Sequence, residues 1–227
     1  MSFEVVSKEI EDLREKLVAE KREIEIVDFG AGADGKRTQA QMDKGVVIKS
    51  STEFCGIGVK NEWAKKLYSI VENKSPETIL ELGTCCGLSS AYMSKAAPSA
   101  SIVTLEGSPA LADIAKENLK TLKCENVKVF IGRFKETLPK VLSSIKGVDF
   151  AFIDGHHDRD ATIDYYRKLL PYLNPHGVLV FDDISWSEGM REAWEFISKD
   201  ADAKKVVTTQ KFGILYFGEE FIYYQND

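Results

Sequence analysis

From residue 78 onward the chain settles into a regular rhythm. Short apolar runs at Ile79–Leu82, Ile102–Leu105, Val127–Ile131, Phe150–Ile153 and Val178–Phe181 begin about 23–28 residues apart, the length of a strand, a helix and two short loops. Apolar strands joined by helices predict a parallel sheet covered on both faces, a doubly wound α/β fold. The stretches between the runs carry helical spacing. Leu111, Ile114, Ala115, Leu119 and Leu122 make one stripe after a Ser108-Pro109 start signal; Ile163, Tyr166, Leu170 and Leu173 make another, ahead of an Asn174-Pro175-His176-Gly177 turn. Leu88–Ala97 and Ser187–Ser198, the latter with Met190, Trp194 and Ile197 on one face, predict two more helices. Val206–Thr209, Gly213–Phe217 and Phe221–Tyr224 have no helix between them, so they predict β-structure closing the sheet with an antiparallel edge.

Before residue 78 the pattern changes. Val6, Ile10, Leu13 and Leu17 predict an exposed amphipathic helix over 1–22, and Trp63, Leu67, Ile70 and Val71 predict another over 61–73, stopped at Lys74-Ser75-Pro76. Residues 23–60 hold six of the sixteen glycines and little periodicity, which predicts a loop-rich segment lying over something. The division is therefore 1–60, a lid or oligomer segment, and 61–227, the sheet domain. No tract approaches the ~18 apolar residues of a membrane span, and the start of the chain has no apolar signal segment.

Composition narrows the classes. At 227 residues, 44% hydrophobic and 29% charged, the chain is an ordinary globular one. A net charge of −6 without a basic cluster argues against nucleic acid or anionic lipid as partners. The cysteines at 55, 85, 86 and 124 form no C-x-x-C pair and no disulfide framework, so the expectation is reduced thiols in a cytoplasmic protein.

Two glycine-rich segments invite comparison as nucleotide loops. Gly30-Ala31-Gly32-Ala33-Asp34-Gly35 matches G-x-G-x-x-G by letter, after a possible short strand at Ile24–Val27. No apolar helical stripe follows in Lys36–Gly45, so it reads as a flexible connection. Glu81-Leu82-Gly83-Thr84-Cys85-Cys86-Gly87 ends a clear strand and opens a helix, and the next strand ends in Leu105-Glu106. A glycine at the strand end lets a ligand lie on bare backbone, and a carboxylate on the adjacent strand can accept both hydroxyls of a ribose. With no lysine and no tight dinucleotide turn, the expected ligand is a nucleoside without phosphates.

Asp154 and the pair Asp182-Asp183 end two further strands, at the edge of the sheet where ligands bind. Gathered carboxylates repel unless a cation holds them, and oxygen ligands suit Mg²⁺, Ca²⁺ or Mn²⁺; the pair could instead cap the turn into the following helix. His157 could accept a proton near neutral pH, or serve in ordinary loop hydrogen bonds, while His156 is expected to point elsewhere. Cys85 and Cys86 read as small loop-filling residues, and Trp186 as either a pocket wall or a core residue.

Together Glu81-x-Gly83-x-x-x-Gly87, Glu106, Asp154 and Asp182 resemble the motifs of class I S-adenosylmethionine-dependent methyltransferases, more narrowly the small O-methyltransferases of the catechol and caffeoyl-CoA type and methyltransferase family 24. The resemblance spans roughly residues 60–217. It implies a Rossmann-like, mostly parallel seven-stranded sheet, S-adenosylmethionine as cofactor and a small-molecule acceptor methylated at a hydroxyl. Its cofactor residues would be Glu81, Gly83, Thr84, Gly87, Glu106, Gly132, Arg133, Phe134 and Asp154. It implies a divalent ion on Asp154, Asp182 and Asp183, the last standing where relatives have asparagine, and catalysis by Asp154 with His157, the latter where catechol-type relatives have lysine. Such relatives often form homodimers. A nicotinamide-dependent oxidoreductase and a non-catalytic nucleoside-binding module are the alternatives.

Overall fold

A computed structural model describes residues 2–32 and 35–218. In chain order the elements are α1 (Phe3–Glu20), β1 (Glu23–Asp28), α2 (Gln39–Lys44), β2 (Val46–Ser51), a 3₁₀ turn (Thr52–Gly56), α3 (Asn61–Lys74), β3 (Thr78–Leu82), α4 (Leu88–Ala96), β4 (Ser101–Glu106), α5 (Pro109–Thr121), β5 (Val127–Ile131), α6 (Phe134–Ser144), β6 (Val148–Ile153), α7 (Arg159–Leu169), β7 (Leu173–Phe181), α8 (Glu188–Asp200), β8 (Lys205–Thr208) and β9 (Gly213–Tyr216).

The main sheet has seven strands in the order β5-β4-β3-β6-β7-β9-β8. β3 to β7 run parallel, and β9 pairs antiparallel with both β7 and β8. The expected sheet and its antiparallel edge are therefore present; Phe221–Tyr224 lies outside the described residues. The side chains divide by the period of two. Ile79, Ile102, Phe150, Phe152, Val178 and Val180 pack with α1, α3 and α4 on one face. Leu80, Leu82, Val103, Leu105, Ile153 and Phe181 pack with α6, α7 and α8 on the other. Strand order reverses at β3, which has β4 on one side and β6 on the other, and so opens a crevice at the carboxyl ends of these strands.

The first sixty residues are more ordered than their composition implies. β1 and β2 form an antiparallel hairpin of their own, with Ile26 opposite Ile48. The short α2 exists without an apolar stripe because Thr38 and Gln41 make a reciprocal capping box. α1 is not the exposed helix expected: Val6 and Ile10 are in the core, and so is Arg14. The Arg14 guanidinium pairs with Glu11 and donates to the carbonyls of Cys55, Ile57 and Val59 at 2.7–3.1 Å, anchoring that irregular segment to the helix. The Asn174–Gly177 turn is also corrected. These residues already belong to β7, and the preceding helix ends at Leu169 because Pro171 enforces a 3₁₀ turn. Among the described residues, no helix is long and apolar enough to cross a membrane.

Candidate active site

A cleft of about 670 Å³ lies over the carboxyl ends of β3, β4, β6 and β7. Gly83, Thr84, Glu106, Arg133, Phe134, Asp154, His157, Asp182 and Asp183 all line it, so the fold brings most of the expected site residues together. Glu81, Gly87 and Gly132, also expected there, are not on its wall.

Glu81 is fully buried, and its carboxylate accepts from Ser89, Ser90 and Thr104, tying β3 to α4 and β4. Burial pushes its pKa up, against those three hydroxyls. The reason for Gly83 also differs from the sequence argument. Its φ is +107°, and a Cβ there would collide with the carbonyl oxygen of Asp154 on the neighbouring strand. Protein backbone, rather than ligand, demands this glycine. Gly87 likewise lets α4 approach α5, since a Cβ would come within 3.1 Å of Ala115.

Glu106 is the carboxylate that faces the cleft from β4. It accepts the amides of Cys85 at 2.7 Å and Ser108 at 2.8 Å, leaving further lone pairs for a ligand. Burial raises its pKa to about 7 although these amides work the other way. Arg133 is turned aside, donating to the carbonyl of Asp43 and pairing with Glu136, while Phe134 packs edge-on against Tyr165.

The other end of the cleft is crowded with charge. Asp154 Oδ1 stands 3.5 Å from His157 Nε2. Burial raises Asp154 to about 7, reinforced by Asp183, and raises Asp182 well above the ordinary carboxylate range, with Asp154 and Asp183 adding to it. Burial lowers the pKa of His157 and of His156, leaving both rings neutral at neutral pH; for His157 this outweighs Asp183 and Asp182, which favour its cation. His156 does point elsewhere, to the hydroxyl of Tyr165 at 2.7 Å. His156, His157 and Asp183 all adopt left-handed backbone, with φ of 72°, 50° and 52°; such strain in non-glycine residues concentrates at functional sites. Trp186 is a wall residue rather than core, 40% exposed with its ring 5.7 Å from that of His157.

Several lining residues were not foreseen. The first residues of the G-x-G-x-x-G look-alike are tied down: Asp28 accepts the amide of Gly30 and pairs with Arg37 at 2.6 Å, and Arg37 also donates to the carbonyl of Gly30. Ala31 then donates its amide to the carbonyl of His156 at 2.7 Å, and Phe29 lies on Gly107 beside Glu106. The segment follows a strand of the separate hairpin rather than one of the main sheet, which removes the support for a nicotinamide loop. The Asp28/Arg37 pair was the available signal. Lys211, from the turn between β8 and β9, carried none. Its ammonium sits 2.9 Å from Asp182 and pairs with Asp183; burial opposes its charge, but those carboxylates outweigh it and raise its pKa.

The expectation of reduced thiols fails for two of the four cysteines. Cys55, in the 3₁₀ turn, and Cys86, in the glycine loop, form a disulfide. They are 31 residues apart but folded against each other, a pairing that spacing alone cannot reveal. Cys85 and Cys124 are free, and burial, with Glu106 beside it, pushes the Cys85 thiol up, so it remains protonated.

Comparison with known proteins agrees with this geometry. Residues 80–184 match a family model described as a methyltransferase domain, that of methyltransferase family 24. A catechol O-methyltransferase of Mycobacterium tuberculosis is 28% identical over 160 residues, covering 70% of this chain and 69% of that protein. A catechol O-methyltransferase of Niastella koreensis is 28% identical over 131 residues, covering 56% of this chain and 58% of its relative. The solved O-methyltransferase of Bacillus cereus in complex with S-adenosylhomocysteine shares the fold, with a TM-score of 0.62 at 23% identity over 71% of this chain and 83% of the other. The matched residues span the glycine loop, Glu106, Asp154 and Asp182, so the part of the chain that builds the cleft is similar to the methyltransferase domain of small S-adenosylmethionine-dependent O-methyltransferases.

Proposed function

We propose that this chain moves the methyl group of S-adenosylmethionine to a hydroxyl of a small-molecule acceptor, with Glu106 holding the ribose and His157 receiving the acceptor's proton. One observation supports this above the others: a carboxylate held by backbone amides and a neutral imidazole face the same cleft from the ends of the two strands that flank β3. When bound, the cofactor supplies a sulfonium-activated methyl. The chain's own contribution is placement, since in-line displacement depends on near-attack geometry. Glu106 accepts from the ribose, and Gly83 and Thr84 shape the backbone beneath. Phe134 walls the same end of the cleft. His157 accepts the proton lost as the oxygen attacks, and Asp154, 3.5 Å away, steadies the imidazolium that results. Residues 1–60 act as the lid: the hairpin and the Asp28–Gly32 segment roof the cleft, and Arg14 fixes the segment between them and α3.

The residues fit a divalent ion poorly as they stand. Asp154, His157 and Asp183 can each bring a ligand atom within 4.8 Å of the others. Yet Asp182 and Asp183, two of the three implied ligands, already hold the Lys211 ammonium. No step of this reaction is routed through a metal.

Calorimetric titration with S-adenosylhomocysteine tests the reading. The parent chain should bind it, and Glu106→Ala should bind ~10–100-fold more weakly, the value of losing hydrogen bonds to a charged acceptor. Equal affinity of variant and parent would remove the ribose assignment.

A further inference from the structure

Lys211 reaches the centre of the acidic cluster from a turn that cannot readily move away. Its backbone amide donates to Thr209 Oγ1, and its carbonyl accepts the amide of Ile184, one residue beyond the Asp182-Asp183 pair. Ser185 donates to the carbonyl of Gln210, stitching the same two segments together again. The next residue, Phe212, is fully buried against Trp63 and Phe152. The side chain of Lys211 is only 20% exposed. This is therefore a charge delivered by a fixed turn, unlike a mobile surface lysine.

The acids depend on it. Asp182 is 1% exposed; its Oδ1 takes the amide of Asp183, while Oδ2 lies 2.9 Å from the ammonium and has no hydrogen bond of good geometry. An anionic oxygen so placed is held by the charge beside it. A divalent ion bridging Asp182 and Asp183 would need the oxygens that the ammonium now faces, and two cations that close in a partly dry site repel strongly.

We propose that Lys211 is the resident cation of this cluster: it takes the place between Asp182 and Asp183 that a divalent ion would otherwise fill, so the chain works without a metal. For its reaction the proposal rests on the methyltransferase reading; for its site it rests on the turn alone. Lys211 is a positioning residue. It keeps the two aspartates together on the floor of the cleft beside His157, and the acceptor is oriented by protein groups only.

The test titrates the full chain with Mn²⁺, followed by the spin-resonance signal of the free ion, beside calorimetry with S-adenosylhomocysteine. The parent should bind Mn²⁺ no tighter than ~1 mM, and chelator should leave its cofactor affinity unchanged. Lys211→Met should bind Mn²⁺ at least roughly tenfold tighter, because the competing charge is gone. Lys211→Arg, which keeps the cation, should behave as the parent does. Micromolar binding of Mn²⁺ by the parent would overturn the proposal, as would a folded Lys211→Met that gains no affinity. Should Lys211→Met fail to fold, Lys211→Gln takes its place, and the parent titration decides in any case. Failure of the parent to bind S-adenosylhomocysteine would count against the cofactor reading, while the Mn²⁺ result would still judge Lys211.

Discussion

The two ends of the cleft hold their carboxylates in different ways. At the β3/β4 end, Glu81 and Glu106 are satisfied by hydroxyls and backbone amides, neutral donors fixed by strands and helix starts. At the β6/β7 end, Asp154, Asp182 and Asp183 face one another, and the balancing groups are a lysine and a neutral imidazole on left-handed backbone. The first end is shaped before a ligand arrives and asks for one kind of group, a pair of donors. The second is an electrostatic compromise whose state depends on pH and on what enters it. A reaction that binds one constant co-substrate and one variable acceptor has use for both arrangements.

The division can be broken by experiment. The largest effect should come from His157→Asn, which keeps a residue tolerant of left-handed backbone. The rate of methyl transfer should fall ~10²–10⁴-fold, the usual contribution of a general base, with affinity for S-adenosylhomocysteine almost unchanged. A parallel loss of affinity would mean the two ends are not separable. Next, Cys55→Ser or reduction should lower stability by about 3 kcal/mol, as expected for opening a closed loop of this length. A melting curve, with alkylation and mass measurement to confirm that the bond was present, checks it.

A smaller effect sharpens the first end. Burial raises Glu106 to about 7, and on the proposed reading ribose hydroxyls would donate to its ionised form. Affinity for S-adenosylhomocysteine should therefore fall as pH drops below that value, by up to ~tenfold per unit. Binding near neutrality should release a proton, measurable from calorimetry in buffers of different ionisation heat. For the ligand-free fold the sign is opposite. The raised values of Glu106 and Asp154 mean that the fold holds protons the unfolded chain gives up. Their contribution to stability is full below the unfolded carboxylate values and is lost as pH rises to about 7.

The sheet was legible because its central strands are largely apolar on both faces and the helices bring their own stripes or caps; Ile79–Leu82 and Phe150–Ile153 needed no partner to be recognised. The carboxyl-end residues Glu106, Asp154 and Asp182 followed from strand direction alone. Residues 23–60 were far less legible. Ile24, Ile26 and Ile48 alternate over too few residues, and α2 rests on a cap rather than on periodicity. Lys211 and the Cys55–Cys86 bond depend on which distant segments meet, and no local pattern encodes that. Gly83 lines the cleft, but the oxygen its Cβ would meet belongs to Asp154, 71 residues on, which no local pattern reveals.

The amide of Ala31 donates to the carbonyl of His156 and so ties the Asp28–Gly32 segment to the floor of the cleft. The peptide that accepts it is the one that carries the chain into His157. Displacing that segment would therefore pull on the backbone next to His157, so on the proposed reading variants that widen the entrance should lose rate before they lose affinity.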